Sequence, residues 1–249
     1  MMKMEGVVVT MTILAEKIEA IGRDIIQCTD GKRKMCTGAR NDQTNGYYPR
    51  SFFLEPPDAS KIEVAVVGLN PGKASELEKE FYKISAKRNG EEMASYDDCA
   101  NAWRAVAKEA PYHKRTRHLF DVLGLEKEKD GILWAEVAFC EGKLTGDAFD
   151  HCVKKFLERE VSELLPENIY VLCLGKKAYH YVTSLPRRLK DCWKIFGVYH
   201  PTGSRGKASF SSYFAPRKDA SLDSRALKPE IGKSFKKVKR GSPRFLGEE

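Results

Sequence analysis

No run of apolar residues in this 249-residue chain is long enough to cross a bilayer, which takes about 20 in succession. The nearest approach, Val7 to Leu14, resembles a short signal core. It has no small-residue cleavage site, however, and passes straight into the charged helical pattern AEKIEAIGRDII. A cytoplasmic protein is therefore expected. An even cysteine count is also missing. The seven are Cys28, Cys36, Cys99, Cys140, Cys152, Cys173 and Cys192, and an odd number in a reducing compartment argues against a disulfide framework. There is no internal repeat. A complete phosphate-binding loop is lacking too: in GLNPGKAS only three residues separate Gly68 from Gly72, where G-x-x-x-x-G-K-[ST] needs four.

Acidic residues are in deficit. Asp and Glu number 35 against 43 Lys and Arg, which leaves a net charge of +8. Such an excess favours a polyanionic partner, because cations that neutralise phosphates release condensed counterions. The stretch from Lys228 to Arg244 is the most basic, with Glu230 as its single acid. With 42% apolar residues, 31% charged residues and a mean hydropathy of −0.47, the chain suits one large α/β domain with tails.

Apolar spacing predicts a helix over about 12–27. The run IEVAVV, Ile62 to Val67, is β-branched and uninterrupted, as in a strand buried on both faces. Helical patterns follow near 75–89, 95–109 and 114–123. Further strands are expected at 132–139, 169–174 and 193–199, with helices over 147–165 and 176–184. This alternation predicts an α/β, three-layer sandwich around a central four-stranded, mainly parallel sheet. Residues 1–27 form an N-terminal helical segment, 28–225 the α/β domain and 226–249 a basic flexible tail. A monomer is expected.

Ligands of such sheets sit beyond the carboxyl ends of the strands. Two unusual loops fall there. Gly68-Leu69-Asn70-Pro71-Gly72 follows the first strand, its glycines and proline making a tight turn that lets backbone approach a ligand. His200-Pro201-Thr202-Gly203-Ser204-Arg205-Gly206 follows the last, where a histidine can stabilise charge developing on a leaving group. Alone, each is compatible with an ordinary turn.

Together, GLNPG and HPTG resemble the two signature motifs of the uracil-DNA glycosylase superfamily, with Asn in motif one as in the mismatch-specific and single-strand-selective branches. The stretch EVAFC…DHCVKKFLEREVSELLPENIYVLCLGKKA resembles the iron–sulfur branch, and the resemblance spans roughly residues 28–206. It implies a monofunctional glycosylase that flips an abnormal pyrimidine out of DNA and hydrolyses its bond to the sugar. Asn70 would orient water and His200 would stabilise charge on base O2. Gly68 and Leu69 would flank the base, and Phe81 or Tyr82 would stack on it. Pro71, Gly72, Lys73, Gly175, Lys176, Thr202, Gly203, Ser204, Arg205 and Lys207 would meet DNA. Phe210, Tyr213 or Phe214 would belong to a wedge. The different-class alternative is a DNA-binding base sensor of the same fold without turnover.

Two departures from the family pattern matter. Iron–sulfur members carry Asn four residues before the cysteine that follows the second strand, where it reads uracil; here that position holds Glu136, four before Cys140. A protonated glutamate donates to cytosine N3 and accepts from its N4 amino group, which suggests a modified cytosine, as in phage DNA, beside the uracil-type reading. The remaining alternative is a one-residue misalignment or a surface glutamate. The resemblance also implies a [4Fe–4S] cluster on Cys28, Cys36, Cys140 and Cys152. Their order matches, but seven residues separate the first pair and eleven the second, where a C-x₂-C is usual for the first. Zinc and free core thiols remain open. His113, His118, His151 and His180 read as surface or hydrogen-bonded residues.

Overall fold

The computed structural model describes residues 2–28, 30, 36–89, 94–120, 131–202, 209–215 and 226–246. Helix α1 (Met2–Ile26) is followed by the short strand β1 (Ala39–Arg40), strands β2 (Phe53–Glu55) and β3 (Ile62–Gly68), and helices α2 (Glu76–Asn89), α3 (Tyr96–Glu109) and α4 (Pro111–Arg117). Next come β4 (Gly131–Glu136) and β5 (Glu141–Gly142). The helix α5 begins at Gly146–Cys152, widens to a π-helical stretch at Val153–Val161 and closes at Ser162–Leu164. Strand β6 (Tyr170–Leu174), helices α6 (Lys176–Thr183) and α7 (Arg187–Lys190), strand β7 (Lys194–Val198), helix α8 (Pro229–Lys236) and strand β8 (Arg244–Phe245) complete the chain.

The main sheet runs β2-β4-β3-β6-β7-β8. Its centre is the expected set of four parallel strands, β4, β3, β6 and β7. Every residue from Val64 to Gly68 is buried, so both faces of β3 are covered and the uninterrupted apolar run is explained. Two short strands extend the centre: β2 antiparallel to β4, and β8 parallel to β7. Among the helices, α3 starts at Ser95, whose hydroxyl accepts from the Asp98 N–H. Expected boundaries shift in places. The first helix starts well before residue 12, and the second central strand stops at Glu136. Residues beyond it leave the sheet to bond the loop after β3, Val137 N–H to Gly68 O at 2.9 Å and Ala138 N–H to Leu69 O at 3.0 Å.

The flexible tail is a correction. The charged residues of α8, Glu230, Lys233 and Lys236, are exposed, while Phe235, Val238, Phe245 and Leu246 are buried in the core. Phe235 meets Phe196 edge-on at 4.7 Å, and Leu246 N–H bonds Gly197 O at 2.9 Å. Basic composition hid four core anchors spaced along this segment. The intended wedge aromatics are also core: Phe210, Tyr213 and Phe214 are each no more than 2% exposed, and the Tyr213 hydroxyl donates to Leu246 O at 2.8 Å.

Register places the site. Gly68 pairs with Glu136, Val67 with Cys173 and Leu174 with Val198. The carboxyl ends of all four central strands therefore lie side by side at one edge.

Candidate active site

A cavity of about 310 Å³ opens at that edge. Asn70 reaches it from the loop after β3, Glu136 from the end of β4 and His200 from the segment after β7. Phe53, Trp103, Tyr112 and His113 supply aromatic walls.

The loop carrying Asn70 is held rigidly. The Asn70 amide donates to Gly142 O at 3.2 Å and Cys140 O at 3.4 Å. Two carbonyls on that side assign the nitrogen there and leave Oδ1 as the acceptor of the side chain. Beneath the loop, the buried Arg50 bonds the Gly72 carbonyl and pairs with Glu141 at 3.2 Å and Glu78 at 3.3 Å. Glu141 also accepts from the Ala74 N–H at 2.7 Å. Residues 140–142 thus grip the loop by backbone and carboxylate together.

Glu136 is buried, 6% exposed, and its Oε2 has no hydrogen-bond partner among the described residues. Burial raises its pKa to about 8, with Arg50 pulling weakly the other way, so the carboxyl is protonated at neutral pH. Gly68 is required opposite it: a Cβ there would collide with the Glu136 carboxyl and the Tyr112 hydroxyl. The surface alternative for Glu136 is excluded by this burial.

His200 has its pKa lowered by burial, so the ring is neutral near pH 7. Its Nδ1 accepts from the Thr202 N–H at 3.3 Å, which puts the ring proton on Nε2. The ring lies 5.4 Å from Tyr112, and Arg115 donates to Pro201 O at 2.8 Å, tying the second loop to α4.

Of the other expected contacts, Pro71, Gly72, Lys73 and Thr202 line the cavity. Leu69 is half-buried beside them. Gly175 faces His200, where a Cβ would stand 3.6 Å from the histidine Cβ, and Lys176 follows it. Gly203, Ser204, Arg205 and Lys207 lie outside the described residues. Phe81 and Tyr82 are corrections, since neither lines the cavity. Phe81 is exposed on α2. Tyr82 is fully buried, donating to Glu78 at 2.6 Å and accepting from Trp103 Nε1 at 2.6 Å. Tyr82 stands behind the cavity wall, bonded to its lining residues Glu78 and Trp103, and Phe53 and Tyr112 line the cavity instead. His113, expected to be a surface or bonded residue, lines the cavity instead. Burial lowers its pKa to about 3, its Nδ1 is buried without a partner, and it packs 4.5 Å from Trp134. Sequence reading missed Arg50, Phe53, Tyr112 and His113; the single local hint was the aromatic pair Tyr112-His113 after a proline.

A model of the uracil DNA glycosylase superfamily matches residues 56–216. The chain belongs to that superfamily. Its members are DNA glycosylases, hydrolases that act on DNA. The matched span holds Asn70, Glu136 and His200 but begins after Cys28 and Cys36. No curated protein and no solved structure matches the chain. No helix among the described residues is long and apolar enough to cross a membrane.

Cys28, Cys36, Cys140 and Cys152 are all buried, 5–8% exposed, and each has its pKa raised, chiefly by burial. The other three thiols add to the rise at Cys140, so all four lie within electrostatic reach of it. Lys155 sits 3.6 Å from Cys28 Sγ and 2.7 Å from Asp30. The donors fit an iron–sulfur cluster in kind and number. Among the described residues no three His, Cys, Asp or Glu groups are gathered closely enough to hold a metal ion. Cys173 is core, as expected.

Proposed function

We propose that this protein is a monofunctional DNA glycosylase that flips a pyrimidine, a uracil-type base or a substituted cytosine, into the cavity and hydrolyses its glycosidic bond, leaving an abasic site. The observation that carries the reading is the convergence of Asn70, Glu136 and His200 on one cavity. Cleavage builds positive charge on the sugar and negative charge on the departing base. Asn70 Oδ1 accepts a hydrogen bond from water and orients its lone pair toward the sugar. His200 Nε2–H donates to base O2 and stabilises the charge that develops there. Glu136 donates its proton to cytosine N3 and accepts from the N4 amino group. A protonated carboxyl carries one donor and one acceptor, so it also meets uracil, accepting from N3–H and donating to O4 with its two oxygens exchanged. Phe53 and Tyr112 provide the aromatic wall for the flipped ring.

Cys28, Cys36, Cys140 and Cys152 would hold a [4Fe–4S] cluster, which braces the segment around Cys140 and takes no part in bond cleavage. Protein purified without oxygen should be brown and carry about four iron atoms per chain, lost on Cys→Ala at these positions. Colourless protein free of iron would remove the cluster from the reading.

The functional test is base release from oligonucleotides carrying uracil, mismatched thymine, hypoxanthine or substituted cytosines, with Asn70→Ala and His200→Ala as controls. Release of a uracil-type base or a substituted cytosine without strand cutting or borohydride trapping is expected. Efficient uracil release that Glu136→Gln leaves unchanged would defeat the cytosine assignment. Tight binding with no release would point to a base sensor.

A further inference from the structure

A second cavity of about 350 Å³ lies at the same edge of the sheet and has no part in the chemistry above. Leu144, Phe149 and Tyr181 form its apolar side; Lys176, Lys177 and His180 form its basic side. Among the described residues no acidic side chain lines it. Tyr181 is half-buried against Phe149, their ring centroids 5.4 Å apart, while both lysines and His180 are exposed.

Its walls grow out of segments that touch the two loops carrying Asn70 and His200. Leu144 stands two residues after Gly142, whose carbonyl accepts from Asn70. Lys176 follows Gly175, the residue packed against His200. A strand of DNA whose flipped nucleotide occupies the first cavity therefore carries a neighbouring nucleotide toward the second.

We infer that this groove holds the unpaired nucleotide next to the flipped one, with its base against Tyr181 and its phosphate between Lys176 and Lys177. An aromatic floor is sequence-tolerant, because every base has a π-face, and paired lysines recognise the backbone without reading sequence. A base held in this way cannot stay paired with an opposite strand, so the groove favours single-stranded DNA. The inference rests on the glycosylase reading and adds a subsite to it.

The test uses single-stranded oligonucleotides with the target base internal, at the 5′ end or at the 3′ end. Wild type, Tyr181→Ala, Tyr181→Phe and Lys177→Glu are compared. Removing the neighbours on one side should raise KM about tenfold, and Tyr181→Ala should raise it about tenfold on the internal substrate with kcat unchanged. Tyr181→Phe should retain wild-type KM, and Lys177→Glu, at an exposed position, should raise it. On the trimmed substrate, Tyr181→Ala and wild type should coincide. Equal KM for all three substrates, or the same Tyr181→Ala penalty on trimmed and internal DNA, would overturn the subsite, as would tighter use of duplex DNA. If wild type releases no base at all, the glycosylase reading fails alone. Fluorescence anisotropy of the same oligonucleotides then decides the groove by the same pattern of weakened and unweakened binding.

Discussion

Arg50 and Glu141 form an ion pair at 3.2 Å with both side chains 6% exposed, and each partner also holds the loop that carries Asn70. Arg50 takes the Gly72 carbonyl and Glu141 takes the Ala74 N–H. Removing Glu141 leaves Arg50 paired with Glu78 alone and the Ala74 N–H without its acceptor, at about 1–3 kcal/mol. Glu141→Ala should therefore lower stability to urea by that amount and reduce kcat more than KM. Glu141→Gln, which can still accept from Ala74, should retain more of both. Unfolding curves and base-release kinetics measured side by side check this; a variant of normal stability and normal kcat would show the clamp to be idle.

Asn70 is gripped by its nitrogen. Asn70→Ala should reduce kcat about a hundredfold, the scale of a misplaced reactant, with KM little changed. Asn70→Asp should not improve the enzyme, although a carboxylate activates water better than an amide. One of its oxygens would face the carbonyls of Cys140 and Gly142 with no donor between them, which costs about 1–3 kcal/mol of stability. A fully stable, faster Asn70→Asp enzyme would show that the amide is not held as described.

The pH dependence follows from two opposite shifts. His200 is lowered from 6.5, so activity should rise with pH as its imidazolium loses a proton below that value. Glu136 is raised to about 8, so activity on a cytosine-type base should fall as pH passes through about 8 and the donor is lost. Glu136→Gln should abolish the alkaline fall. The same residue ties stability to pH. Its folded pKa exceeds the ordinary 4.5, so its contribution is fully present below 4.5 and is lost as pH rises through about 8. Profiles of kcat/KM and of urea midpoints, with and without the substitution, measure both.

Phe235 tests the carboxy-terminal segment. It is 1% exposed and packs on Phe196, so Phe235→Ala should cost about 3–5 kcal/mol. Thermal unfolding measures it; an unchanged midpoint would return the segment to a loose tail.

The strands, the helices between them and the two loops at their tips were legible in the sequence because each signal is local. Uninterrupted β-branched residues mark a strand covered on both sides, and Gly-Pro-Gly turns mark where it ends. Glu136 was legible through its distance from Cys140. What tertiary structure decided is what surrounds these residues. Phe53 comes from an edge strand, Tyr112 and His113 from a short helix, and Arg50 from a loop, and none of their neighbours in sequence announces a cavity. Phe81 and Tyr82 had suitable spacing, but the fold leaves Phe81 exposed and puts Tyr82 behind the cavity wall. The protonation of Glu136 belongs to the same class: sequence places a carboxyl at the strand end, but only packing removes the water that would keep it ionised.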